Sequence, residues 1–295
     1  MSVDRVTIRL VSAAELQREV VSGAVRVVDA RTRDEYAVGH VPGAVWIGWE
    51  EWCAAPPQQR HAPTRQAGYW GLIAPHSSAS YAARLRDLGL GNDDAIVVYA
   101  DSVRSWGRDG RIAWMLLYLG ARHVLLLDGG WRGWLREGGS VEHTVPLPAP
   151  GRFSVVAREE RRARFDALRL AYQAGTLPAL VDTRTLDEYA GRAHPYMPRM
   201  GHLPGAVLMA FEDLYDPGGA FVGRDAYLAR LSAQVRAAPH LVTYCEVGVR
   251  ASTTALLHEI YTGQVVAVYD GSLMEWALDP ALPVHTALGD DRLRC

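Results

Sequence analysis

The sequence predicts an α/β protein made of two copies of one domain, each a mainly parallel sheet flanked by helices. Three observations predict it. A long segment recurs within the 295 residues, short β-branched runs alternate with amphipathic stretches, and a Pro-rich stretch lies between the two copies.

The recurrence is the strongest of these. Residues 27–47 read VVDARTRDEYAVGHVPGAVWI, residues 180–189 read LVDTRTLDEY, and residues 201–210 read GHLPGAVLMA. The shared skeleton is V-D-x-R-T-x-D-E-Y followed by G-H-x-P-G-A-V. Tyr36 runs almost directly into Gly39, whereas AGRAHPYMPRM separates Tyr189 from Gly201. The later halves also correspond: AIVVYADS (95–102) with HLVTYCEV (240–247), and HVLLLDGGWRGW (123–134) with VVAVYDGSLMEW (265–276). Asp101 of the first copy is expected to stand opposite Cys245. The first copy alone carries residues 51–72, whose Pro and polar content predicts a surface insertion. HTVPLPAPGRF (143–153) predicts a linker, giving a domain over 1–143, a linker over 144–152 and a second domain over 153–295.

The elements follow in order. Ser12 ahead of Glu15 and an apolar run predicts a capping box opening the first helix. Strands are expected over 25–28, 95–99 and 123–127, and helices over 79–88 and 108–119. The second copy predicts strands over 179–182, 206–209, 240–244 and 265–269, and helices over 225–237 and 249–261. Strands joined through helices imply parallel sheets.

Composition narrows the function. Hydrophobic residues at 49% and charged residues at 22% fit a soluble globular protein. A net charge of −2 offers no basic field for nucleic acid or an anionic membrane surface. No stretch approaches the roughly 20 apolar residues of a membrane span, and the first residues lack an apolar signal core, so a cytoplasmic, unprocessed protein is expected. All 31 basic residues are Arg, which excludes a Schiff-base Lys and a Lys-ended phosphate loop. No H-E-x-x-H and no G-x-G-x-x-G after a strand is present, so neither metal nor organic cofactor is implied. Cys53, Cys245 and Cys295 form neither a disulfide framework nor a paired metal motif.

Cys245 stands apart. An apolar strand ends directly at it, and a helix is expected to start near Val249 or Arg250, so CEVGVR is a strand–loop–helix connection. Loop and first-turn N–H groups lack intrahelical partners there, and the helix dipole adds positive potential, which together suit a thiolate or persulfide. Gly248 supplies backbone freedom and Arg250 a full positive charge, while Glu246 opposes a thiolate unless its side chain turns to solvent. Cys245 is therefore expected to be a nucleophile.

Cys-x-x-Gly-x-Arg after a strand, with V-D-x-R, E-Y and G-H-x-P-G-A upstream, resembles the rhodanese family from about Val11 to Trp276. The tandem arrangement is similar to the two-domain thiosulfate and 3-mercaptopyruvate sulfurtransferases. The resemblance implies that the second copy is catalytic and that the first, with Asp101, has lost its cysteine. Cys245 would take sulfur from an anionic small-molecule donor, by preference thiosulfate, hold it as a persulfide and pass it to a thiol or cyanide. Glu246, Val247, Gly248, Val249 and Arg250 would cradle the sulfur. Arg184 matches the family Arg that binds the donor's anionic end, or else pairs structurally with Asp182 or Glu188. The resemblance alone suggests that Trp70, Arg104, Trp106 and Arg108 of the first copy line the interdomain cleft. Phosphatases of this fold place five residues between Cys and Arg, and this loop places four, which favours sulfur. Asp29, Asp182, His40 and His202 occur in both copies and read as scaffold, with Cys53 and Cys295 as bystanders.

Overall fold

The computed structural model describes residues 6–54, 71–74 and 76–286. They fall into two compact units, one within 1–51, 75–159 and 215–221, the other within 52–74, 160–214 and 222–295.

The first unit runs β1 (Thr7–Val11), α1 (Ala13–Ser22), β2 (Val25–Asp29), α2 (Arg33–Val38), β3 (Val45–Trp46), α3 (Ser78–Asp87), β4 (Ala95–Tyr99), α4 (Arg108–Leu119), β5 (His123–Leu127) and α5 (Gly130–Arg136). The second runs β6 (Arg162–Ala163), α6 (Phe165–Gln173), β7 (Ala179–Asp182), α7 (Leu186–Tyr189), β8 (Val207–Leu208), α8 (Arg224–Arg230), α9 (Ala233–Ala237), β9 (Leu241–Tyr244), α10 (Val249–Thr262), β10 (Ala267–Tyr269) and α11 (Ser272–Trp276). Their sheets have the orders β1-β5-β4-β2-β3 and β6-β10-β9-β7-β8, with every named pairing parallel. The two orders are the same once the copies are matched, so the repeat in sequence is a repeat in topology. The central strands are buried and β-branched, as a sheet covered on both faces requires.

The repeated motif builds local structure in the same way twice. Thr32 and Thr185 cap α2 and α7, each accepting the N–H of the Glu three residues on at 3.3 Å, and Glu35 and Glu188 close the box in return. Trp134 and Trp276 fill equivalent core positions, with indole N–H groups donating to the carbonyls of Ser140 and Pro283 at 2.9 and 2.8 Å. At the first helix only half of the expected box forms. Ser12 caps α1, but Glu15 pairs with Arg9 at 2.8 Å.

Three expectations change. The helix expected over 225–237 is two helices, because Leu231 is extended and Ser232 accepts the N–H of Val235, capping a new start. The flanks of the expected surface insertion are buried in the second unit. Trp52, Cys53, Ile73 and Ala74 are apolar, and their chains bridge antiparallel through Cys53 and Ile73. Residues 55–70 lie outside the described residues.

The third change concerns Asp101. Tyr99 pairs with Asp29 in β2, and Tyr244 pairs with Asp182 in β7, so the two tyrosines are equivalent. The residue after each also keeps its partner: the Ala100 carbonyl accepts from Trp131 N–H, and the Cys245 carbonyl from Leu273 N–H. Ala100 therefore holds the Cys245 position, and Asp101 holds that of Glu246. The first copy still lacks the thiol.

Replacing Thr32 with Ala removes the capping box of the copy without the cysteine. It is expected to cost about 1 kcal/mol of stability in urea unfolding. No measurable loss would mean that the box is not contributing.

Candidate active site

Cys245 follows β9 and is buried. Its Sγ accepts the Gly248 N–H at 3.1 Å, its own N–H donates to Ser272 Oγ at 3.1 Å, and Ser272 donates to the Tyr269 carbonyl at 2.8 Å. The N–H groups of Leu273 and Met274 donate to the carbonyls of Cys245 and Glu246 at 3.2 and 3.1 Å. The turn into α11 thus braces the loop from behind. Gly248 has φ +78 and caps α10, and a Cβ there would meet the Asp270 carbonyl oxygen at 2.7 Å. Only glycine makes this turn without strain or collision. The thiol lies at the head of a 14-residue helix, where N–H groups and dipole favour a negative sulfur.

Arg250 reaches from the first turn of α10 to Glu188. Its two Nη atoms donate to the two Glu188 carboxylate oxygens at 2.7 and 2.6 Å, and both residues are buried. Burial pushes the Glu188 carboxyl up, but Arg250's hydrogen bonds and charge outweigh it and hold the group at about 2. Burial works against the Arg250 charge, which the hydrogen bonds to Glu188 sustain. Glu246 turns its carboxylate to Tyr196, whose hydroxyl donates to Oε1 at 2.7 Å. Val249 is buried, and Val247 is half-buried with its carbonyl so close to Gly71 that a Cβ on Gly71 would collide with it. Glu246, Val247, Gly248, Val249 and Arg250 thus lead from Cys245 into the first turn of α10.

Arg184 follows β7 and feels the charge of Glu188. Its guanidinium is buried, grips Asp182 through Nε and Nη2, and donates to the Gly201 carbonyl at 2.6 Å. Arg31 does the same with Asp29 and the Gly39 carbonyl at 2.7 Å in the copy without the cysteine. Of the two roles open to Arg184, this geometry supports the structural pairing with Asp182. His202 stacks on Tyr189 at 3.7 Å and binds its carbonyl, and His40 stacks on Tyr36 at 4.1 Å in the same manner.

The sequence profile of the rhodanese-like domain matches residues 12–137 and again 166–279. The chain belongs to the rhodanese-like family. Curated relatives of this rhodanese include a thiosulfate sulfurtransferase of Corynebacterium glutamicum, 30% identical with 94% of this chain and 90% of the relative covered. A probable 3-mercaptopyruvate sulfurtransferase of Pseudomonas aeruginosa is 31% identical, covering 85% and 86%. Among solved structures, an anaerobic ergothioneine biosynthesis enzyme from Chlorobium limicola shares the fold, with TM-score 0.79, 23% identity and coverage of 94% and 70%. The rhodanese is a sulfurtransferase.

Several site residues of this rhodanese escaped the sequence reading. His194 Nε2 lies 3.2 Å from Glu188, and Tyr196 binds Glu246; both come from residues 190–200, a stretch that is only two residues long in the first copy. That extra segment was the available signal. Glu188, His194 and Glu246 present donor atoms within 4.8 Å of one another, a set able to hold a metal only by competing with Arg250 for Glu188. In the first copy Arg104 approaches Asp101 at 3.8 Å, Arg108 pairs with Glu50, and Trp106 is exposed. Trp70 and Cys295 lie outside the described residues.

The Glu188 carboxyl titrates at about 2 when folded against an ordinary 4.5, so it stabilises the fold above that ordinary value. This stability is lost as pH falls from about 4.5 towards 2. Urea unfolding across the window should fall less steeply for Glu188→Gln than for the parent. Parallel slopes would contradict the assignment.

Proposed function

We propose that this rhodanese moves sulfane sulfur from thiosulfate to a thiol or cyanide through a persulfide on Cys245. The observation that carries the proposal is the placement of the Cys245 Sγ on the Gly248 N–H at the head of α10. The cradle is made of Glu246, Val247, Gly248, Val249 and Arg250.

The Cys245 thiolate attacks the outer sulfur of thiosulfate. A Cys–S bond forms, the bond to the sulfonate sulfur breaks, and sulfite leaves with the electron pair. Cyanide or a thiolate then attacks the outer persulfide sulfur, and Cys245 departs as the thiolate it was. No external oxidant, reductant or cofactor enters the balance. Loop N–H groups stabilise the thiolate that leaves in the second step.

The relatives named thiosulfate sulfurtransferase support thiosulfate as donor, and so does the tethering of the Glu246 carboxylate to Tyr196. The relative named for 3-mercaptopyruvate supports the competing donor. Phosphoryl chemistry is disfavoured, because Arg250 gives both its Nη atoms to Glu188 and four residues separate it from Cys245. Ala100 at the nucleophile position supports an inactive first copy. A cytoplasmic setting suits the reduced thiols of Cys53 and Cys245. No helix among the described residues is long and apolar enough to cross a membrane.

Thiocyanate formation should vanish in Cys245→Ser and persist in Cys53→Ser. Retained transfer in Cys245→Ser would overturn the proposal. A higher kcat/KM with 3-mercaptopyruvate and a thiol than with thiosulfate and cyanide would reassign the donor while leaving Cys245 in place.

A further inference from the structure

Between the tyrosine and the glycine of the repeated motif the Cys-bearing copy has eleven residues, Ala190 to Met200, where the first copy has only Ala37 and Val38. They are firmly fixed. Arg199 donates to the carbonyls of Ala277, Leu282 and Asp279 at 3.0, 2.6 and 2.6 Å, occupying acceptors left open where α11 ends. Arg192 pairs with Asp187 at 2.7 Å, and Met197 is buried in the core. Between these anchors His194 adopts φ +60, a left-handed conformation that a side-chain-bearing residue takes only when its surroundings impose it. The result is a short wall that presents His194 to Glu188 and Tyr196 to Glu246.

The charges beside Cys245 show what the wall is for. Arg250 is neutralised by Glu188, which leaves Glu246, the residue next to the nucleophile, as a second carboxylate. Free to swing, that carboxylate would meet any anionic donor at the mouth of the loop. In the structure its Oε1 accepts from Tyr196, and it sits within 4.8 Å of donor atoms of His194 and Glu188. The first copy meets the same problem differently. Asp101, at the equivalent position, is approached by Arg132 at 3.2 Å and Arg104 at 3.8 Å.

We propose that residues 190–200 form an electrostatic positioning element in which Tyr196 holds the Glu246 carboxylate at the Glu188–His194 corner, clearing the approach of an anionic sulfur donor to Cys245. Tyr196 is a positioning residue that acts through Glu246. The proposal rests on Cys245 as the sulfur-carrying nucleophile and deepens that reading.

The test is a cycle of Tyr196→Phe, Glu246→Gln and the double variant, assayed with dianionic thiosulfate and monoanionic benzenethiosulfonate. Tyr196→Phe should raise the thiosulfate KM about three- to tenfold, the size of one partly screened like-charge contact, with kcat within about twofold. The rise should be smaller for the monoanion. In the Glu246→Gln background the Tyr196 substitution should leave KM unchanged. An equal KM rise with and without the Glu246 charge, or no rise at all, would overturn the positioning role. Loss of transfer in Cys245→Ser tests the underlying reading separately, since the Tyr196–Glu246 coupling can fail while Cys245 remains essential.

Discussion

The buried ion pair between Glu188 and Arg250 ties the short helix of the repeated motif to the first turn of α10. Glu188 belongs to the repeated V-D-x-R-T-x-D-E-Y motif and is locked by its own capping box. Arg250 belongs to the first turn of α10, one turn beyond the thiol. A buried guanidinium is tolerable only with a well-placed partner, and the two-pronged geometry supplies one. The pair thereby fixes where α10 begins, and so where the Gly248 N–H and the Cys245 sulfur stand. Removing one partner leaves the other charge buried, a change that typically costs about 3–5 kcal/mol.

The sister copy shows what happens without the pair. Glu35 keeps its capping role, but the second residue of α4 is Asp109 rather than Arg, a buried carboxyl that desolvation pushes up to about 6. Between Ala100 and α4 the chain takes a longer path through a 3-10 turn over Ser102–Ser105, before Gly107 opens the helix in the same left-handed conformation as Gly248. What both copies retain is the Asp–Arg–Tyr frame beneath the loop, built from Asp29, Arg31 and Tyr99 in one and Asp182, Arg184 and Tyr244 in the other. Because this frame survives where the thiol is lost, Arg184 fits the scaffold better than the donor site.

Much of this was legible in the residues. The repeat gave both domains and their common strand order, and the chain from Leu241 to Arg250 announced a strand, a tight glycine turn and a helix. The features that escaped depend on register or on distant side chains. A one-residue offset separates Asp101 from Ala100; counting on from the tyrosine shared by AIVVYADS and HLVTYCEV sets Ala100 opposite Cys245, and the pairing of Tyr99 with Asp29 agrees. Ser232 interrupts a helix because its hydroxyl competes for the Val235 N–H, a local choice that apolar periodicity does not reveal. Tyr196 reaches Glu246 across fifty positions of sequence, and no motif links them. The extra segment carrying it was visible as a length difference, while its purpose became clear from the carboxylate it holds.

The location of the transferred sulfur decides the matter. After loading with one equivalent of thiosulfate, non-reducing peptide mass mapping should find one additional sulfur atom on the peptide containing Cys245, with Cys53 and Cys295 remaining unmodified. An additional sulfur on Cys53 or Cys295, with Cys245 unmodified in a protein still competent for transfer, would contradict the account.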